Sequence, residues 1–208
     1  MSKVLYITCN PKKEEESYSL SIGRRFLNLY KQKNTQDEII EIDLYKIELP
    51  IVDIDVITGW NKSKHKDSLT YIENTKLQEI DQFVNQFVDA DKYIFVSPLW
   101  NMSIPTKLKQ YIDTVMVAGK TFKYSSTGMI GLLKDKKALH IQASGGTYSI
   151  GKNKHLEFGN SYLKALLKTV GVRHIDSILV ESTSKSAYIH EKIMEKADKR
   201  IEEVLSTF

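Results

Sequence analysis

The chain has 208 residues, of which 41% are hydrophobic and 27% charged, with 30 Lys and Arg against 26 Asp and Glu for a net charge of +4. That length suits one α/β domain over residues 1–208, and the balance excludes a disordered or fibrous chain. A lone cysteine, Cys9, excludes an intramolecular disulfide and a cysteine-based zinc site, and the five histidines show no metal-ligand spacing.

The basic excess is mild. Lysines alternate with acids, as in Glu191-Lys192 and Glu195-Lys196, which reads as solvated helix faces and does not favour nucleic acid as a partner. No apolar leader precedes the first strand, and no apolar run reaches spanning length, so the expectation is a cytoplasmic protein without membrane insertion.

In chain order, Val4-Leu5-Tyr6-Ile7-Thr8 is a short apolar run, the mark of a strand covered on both faces. After a polar loop, Leu20, Gly23, Leu27 and Tyr30 recur at helical spacing, with Ser17 and Ser19 placed to cap the start. Residues 38–44 alternate acid and aliphatic, which predicts an edge strand. Residues 50–70, containing Trp60, read as an irregular excursion. Leu77, Ile80, Val84 and Phe87 then predict an amphipathic helix.

Tyr93-Ile94-Phe95-Val96 is the third strand, and it feeds a loop bracketed by Pro98 and Pro105. A helical stripe of Ile104, Leu108, Tyr111, Ile112 and Val115 begins near Ile104. Residues 121–133, with Gly128 and Gly131, suit an inserted hairpin or a looped excursion rather than a helix. Ala138 to Ile141 is a fourth strand ending in Ala143-Ser144-Gly145-Gly146, and Leu163, Leu166, Leu167 and Val170 mark the next helix. His174 to Val180 alternates like a second edge, and Ile189, Ile193, Ala197, Ile201 and Leu205 form a closing helix.

Strand and helix thus alternate along the chain, which predicts a doubly wound parallel sheet with helices on both faces. Three buried strands and two edges are satisfied by the order 2-1-3-4-5, the flavodoxin-like order, whose switch point lies between strands one and three. Ligand chemistry is expected where the loops after Thr8 and Ser97 meet.

The first of these loops offers Ser17, Ser19 and Ser21 at a helix N-terminus, with Lys12 and Lys13 nearby, a setting that favours a phosphate. The acidic run Glu14-Glu15-Glu16 opposes one unless its carboxylates face solvent. No Gly-x-x-x-x-Gly-Lys is present, which excludes a nucleotide-triphosphatase loop. Glu15 stands where a low-molecular-weight phosphatase needs arginine, and Cys9-Asn10 where a receiver domain needs an acidic pair. Leu99, Trp100, Asn101 and Met102 offer a wall for a planar ring, and Gly145-Gly146 a close backbone approach.

On these residues the chain resembles the FMN-dependent NADH-azoreductase family, whose members also reduce quinones. The matching motifs are Ser17-Tyr18-Ser19, Pro98-Leu99-Trp100-Asn101-Met102 and Ala143-Ser144-Gly145-Gly146. Agreement continues through residues 107–113 and through Ala118-Gly119-Lys120-Thr121-Phe122-Lys123-Tyr124, and the likeness spans essentially the whole chain. It implies that residues 17–19 hold the FMN phosphate, that 99–102 lie along the isoalloxazine, and that 143–146 meet its polar edge.

The resemblance further implies two-electron ping-pong hydride transfer from NADH through flavin N5 to a quinone or azo compound, in a homodimer, with no catalytic side chain. Tyr124 is a candidate wall of the acceptor pocket. Cys9 and Ala143 stand where relatives often carry hydroxyls, and Thr169 near a position where some place an aromatic. A flavodoxin-type electron carrier and a flavin-binding regulatory protein are the alternatives on the same fold.

Overall fold

The computed structural model describes residues 1–184 and 187–208, the side chains of 187–189 excepted, so the Ile189 part of the closing stripe lies outside it. Five parallel strands form one sheet: β1 (Lys3–Thr8), β2 (Glu38–Asp43), β3 (Lys92–Pro98), β6 (Lys137–Ala143) and β7 (His174–Val180). A separate antiparallel hairpin pairs β4 (Phe122–Ser125) with β5 (Gly128–Gly131), the first of the two expected forms for this insertion. The sheet order is β2-β1-β3-β6-β7. That is the expected 2-1-3-4-5 arrangement, with the two alternating strands at the edges.

Alternation along each strand sends successive side chains to opposite faces. On one face Leu5, Ile7, Tyr93 and Phe95 pack with Phe87 of α3 (Tyr71–Asp89), Leu108 and Tyr111 of α4 (Thr106–Val115), and Leu163 and Leu167 of α5 (Gly159–Thr169). On the other face Val4, Tyr6, Ile94, Val96, Leu139 and Ile141 pack with Phe26 and Leu27 of α1 (Tyr18–Lys33) and Ile201 of α6 (Ala187–Leu205). Each fully buried aliphatic or aromatic side chain stabilises by roughly 1.5–3 kcal/mol, so these two clusters fix where the strand ends lie.

Two expectations are corrected. Residues 50–70 are not irregular: they contain α2 (Ile54–His65), packed on α3 through Val56, Trp60 and Leu77. Asp53 caps it, accepting from the amides of Asp55 and Val56, and Lys76 of α3 anchors the same carboxylate. The helix was obscured because Ile54 and Ile57 point outward, 72% and 47% exposed, and blur its stripe.

The second correction concerns α4, which starts at Thr106 rather than near Ile104. Pro105 takes the N-cap position with extended ψ, and a proline drives the residue before it out of helical geometry. Pro105 is therefore a stiff extended lead-in to α4, and Pro98 belongs to β3.

Candidate active site at the switch point

Three loops converge where β1, β3 and β6 end. They line a cleft of about 290 Å³ that includes Ser17, Tyr18, Ser19, Leu99, Trp100, Ala143, Ser144 and Gly145. Eight of the residues singled out from the sequence are thus brought together. Asn101, Met102, Gly146 and Tyr124 are not among its lining residues. A larger depression, about 620 Å³, lies between α2, α3 and residues 116–122, but it touches none of the strand exits.

At the first loop, buried Ser17 is the N-cap of α1 and its Oγ accepts from the Leu20 amide at 3.3 Å. The same oxygen accepts from Asn10 Nδ2 at 2.9 Å and lies 3.1 Å from Ser19 Oγ. Neutral hydroxyls and the positive helix end make a setting that can take an anion. Glu14, Glu15 and Glu16 form a single exposed 3-10 turn. Arg24 draws off Glu14 at 2.9 Å, whereas Glu16, like Lys12, lines the cleft. Tyr18 turns aside, its hydroxyl 2.8 Å from His190 Nδ1.

Cys9 is fully buried and is not part of the cleft lining. Burial pushes its thiol up to about 12, so it stays protonated and unreactive.

The second loop is a tight turn closed by reciprocal backbone bonds of 2.9 Å between Trp100 and Ser103. Its central residues, Asn101 and Met102, have φ of 48° and 64°. Left-handed backbone at two successive non-glycine residues costs free energy, and such outliers cluster at ligand sites. The turn lifts Trp100 and Met102 off the core, each 41% exposed. Neither is core packing. The Leu99 amide ties the turn back to the Ala143 carbonyl at 2.8 Å.

The third loop differs from expectation. Space beside its two glycines is taken by the chain itself: a Cβ on Gly145 would lie 2.4 Å from Ser184 Oγ, and one on Gly146 3.1 Å from the Tyr148 ring. The amides of Ser182, Thr183 and Ser184 donate to the carbonyls of Gly146, Ser144 and Gly145. Glu181 accepts from the amides of Tyr148 and Ser149. So the exit of β7 braces this loop, and Thr183 and Ser184 join the cleft.

Asn10, Thr183 and Ser184 were missed from sequence. Asn10 carried a signal, since an amide directly after a buried strand can hold a neighbouring cap. The other two follow an edge strand, and only the folded bracing brings them in.

Beneath the cleft lies a buried polar network. His140 Nε2 is 3.0 Å from Ser97 Oγ, and Nδ1 is 3.1 Å from Asn160 Oδ1, which also accepts from Ser177 Oγ at 2.8 Å. Burial pushes His140 down to about 4, so the ring is neutral at pH 7. Tyr124 stands on the hairpin, 73% exposed and edge-on to Phe122. Thr169, at the end of α5, donates to the Ala165 carbonyl.

The flavodoxin-like fold family matches residues 2–205. At 46% identity, with both sequences fully covered, the chain is similar to FMN-dependent NADH:quinone oxidoreductase 3 of Halalkalibacterium halodurans. An FMN-dependent NADH-azoreductase of Bacillus anthracis, solved in complex with FMN, superposes with a TM-score of 0.91 at 34% identity. That match covers 99% of this chain and 98% of the other. A second azoreductase structure from Bacillus anthracis gives 0.89 at 35% identity, over the same shares of the two chains.

Proposed function

The chain belongs to the flavodoxin-like family of FMN-dependent NADH:quinone oxidoreductases and azoreductases, and on that premise we propose how it works. It reduces quinones and aromatic azo compounds with NADH, through FMN held at the switch point. The observation that carries this reading is the convergence of the serine-capped α1, the left-handed turn and the braced Ser144–Gly146 loop on one cleft.

FMN, when bound, supplies the two-electron chemistry between NADH and the acceptor. The protein's part is binding and orientation. Ser17 and Ser19 with the α1 N-terminus hold the phosphate, their hydroxyls acting as neutral donors beside the helix dipole. Leu99 to Met102 form a shelf for the ring, and residues 143–146 present backbone groups to its polar edge. Tyr124 stands by for the acceptor. The reading needs no side chain as nucleophile or general acid, because in this redox exchange the cofactor does the chemistry.

We further propose that the active unit is a homodimer. A cleft of about 290 Å³ is at the small end for a ligand site. Ile51, Ile54 and Ile57, close together in sequence around the start of α2, are large apolar side chains left exposed, which supports a partner surface there.

The test is direct. Purified protein should be yellow, NADH should bleach the flavin band, and menadione should restore it and sustain turnover with no partner protein. A preparation that neither contains nor takes up FMN overturns the reading. Bleaching without unaided turnover would favour an electron carrier instead.

A further inference from the structure

The flavin reading does not use Glu157, a carboxylate only 8% exposed. It accepts from the amides of Asn160 (2.7 Å) and Ser161 (3.0 Å), from Ser161 Oγ (2.8 Å) and from Gln142 Nε2 (3.0 Å). All of these donors are neutral. Burial works against the charged form, yet the bonds from Gln142, Asn160 and Ser161 hold the carboxyl below the usual range. A buried carboxylate held by neutral donors is costly to retain for stability alone, and conformational specificity is the better-attested reason for keeping one.

We propose that Glu157 is a positioning residue for the ring shelf, an inference that rests on the flavin reading above. The route is short. Phe158 is the N-cap of α5 but cannot cap with its side chain, so Glu157 supplies the cap from one residue earlier. That fixes the Phe158 backbone, whose amide donates to the Met102 carbonyl at 3.0 Å. Met102 is one of the two left-handed residues of the turn, so the bond reaches the strained point from outside it.

The other arm of the carboxylate takes Gln142, next to Ala143, whose carbonyl receives the Leu99 amide. Both ends of the shelf are therefore tied to one carboxylate. Packing leaves it little slack: a Cβ on Gly159 would lie 2.3 Å from Gln142 Oε1 and 2.7 Å from Leu99 Cδ1.

The experiment compares full-length wild type with Glu157→Ala, Glu157→Gln and Glu157→Asp, taking Thr70→Ala as reference. Thr70 caps α3 in a capping box with Glu73, and α3 gives no residue to the cleft. FMN affinity by fluorescence quenching, the bound-flavin absorption band, melting temperature, and KM and kcat are measured on each. Both alanine variants should melt a few degrees lower. Only Glu157→Ala should weaken FMN about tenfold and shift the band, with Asp recovering most of the loss.

If Glu157→Ala melts lower but binds FMN with wild-type affinity and spectrum, Glu157 is a helix cap only and the proposal is overturned. Should the alanine variant not fold, Glu157→Gln decides on the same two readouts. Wild type that binds no FMN overturns the function instead, so the two failures are distinguishable.

Discussion

The N-termini of α1 and α5 flank the same region and solve the same problem in opposite ways. Each leaves amides without intrahelical partners and carries the positive end of a helix dipole. At α5 the carboxylate of Glu157 takes two of those amides, so the charge is satisfied from within the chain. At α1 the cap is Ser17, neutral and shared with Asn10 and Ser19, so the field is left for an anion from outside. In this pair, the end with the uncharged cap is the one left able to take an anion from outside. The acidic residues nearest α1, in the 3-10 turn, are exposed or drawn to Arg24 rather than folded onto the cap.

The largest effect expected from this contrast is in acid, and it belongs to the α5 side. Burial lowers the His140 pKa to about 4 from 6.5, against the opposing pull of its bond to Asn160 of α5 and of nearby Glu157, and Lys164 adds to the lowering. Below pH 6.5 the unfolded chain takes up a proton that the folded chain refuses, so stability falls as pH drops from 6.5 toward 4. The loss is on the order of 3 kcal/mol. Glu157, whose folded pKa is depressed, adds a loss of the same sign below its unfolded value near 4.5. Urea unfolding at pH 7, 5.5 and 4.5 measures the slope, and His140→Gln should remove the part above pH 4.5.

Next in size, Ser17→Asp gives α1 the kind of cap that α5 has. Aspartate caps as well as serine, so the melting temperature should hold or rise, while FMN affinity drops about 100-fold. Unchanged affinity by fluorescence titration would mean that the phosphate does not sit at α1. The turn between the two helices comes third: Trp100→Ala should leave the fold intact and weaken FMN about tenfold. If binding and turnover match wild type, the shelf idea fails. Smallest is Met102→Gly, which relieves the left-handed φ but frees the unfolded chain, so unfolding free energy should shift by no more than about 1 kcal/mol.

Much of the fold was legible because burial wrote itself into the strands. Continuous runs such as Tyr93 to Val96 had to be central, and alternating ones such as Glu38 to Asp43 had to be edges. From that the switch point followed, and with it the serine, tryptophan and glycine loops. Illegible were features that depend on what packs against what. The stripe of α2 is interrupted by outward isoleucines, although Asp53 before it and Lys62, Lys64 and His65 at its end were cap and dipole signals. Nor could the Gly145-Gly146 pair reveal that Ser184 and Tyr148 would fill the space beside it. Two left-handed residues at Asn101 and Met102 have no glycine to betray them.

Cys9 has a chemical consequence. Quinones are electrophiles as well as oxidants, and they arylate thiolates. An enzyme that passes quinones through an open cleft keeps its single sulfhydryl sealed beneath the first strand's exit, protonated and absent from the cleft lining. Its acceptors therefore meet no sulfur nucleophile in the cleft, and thiol arylation does not compete there with their reduction.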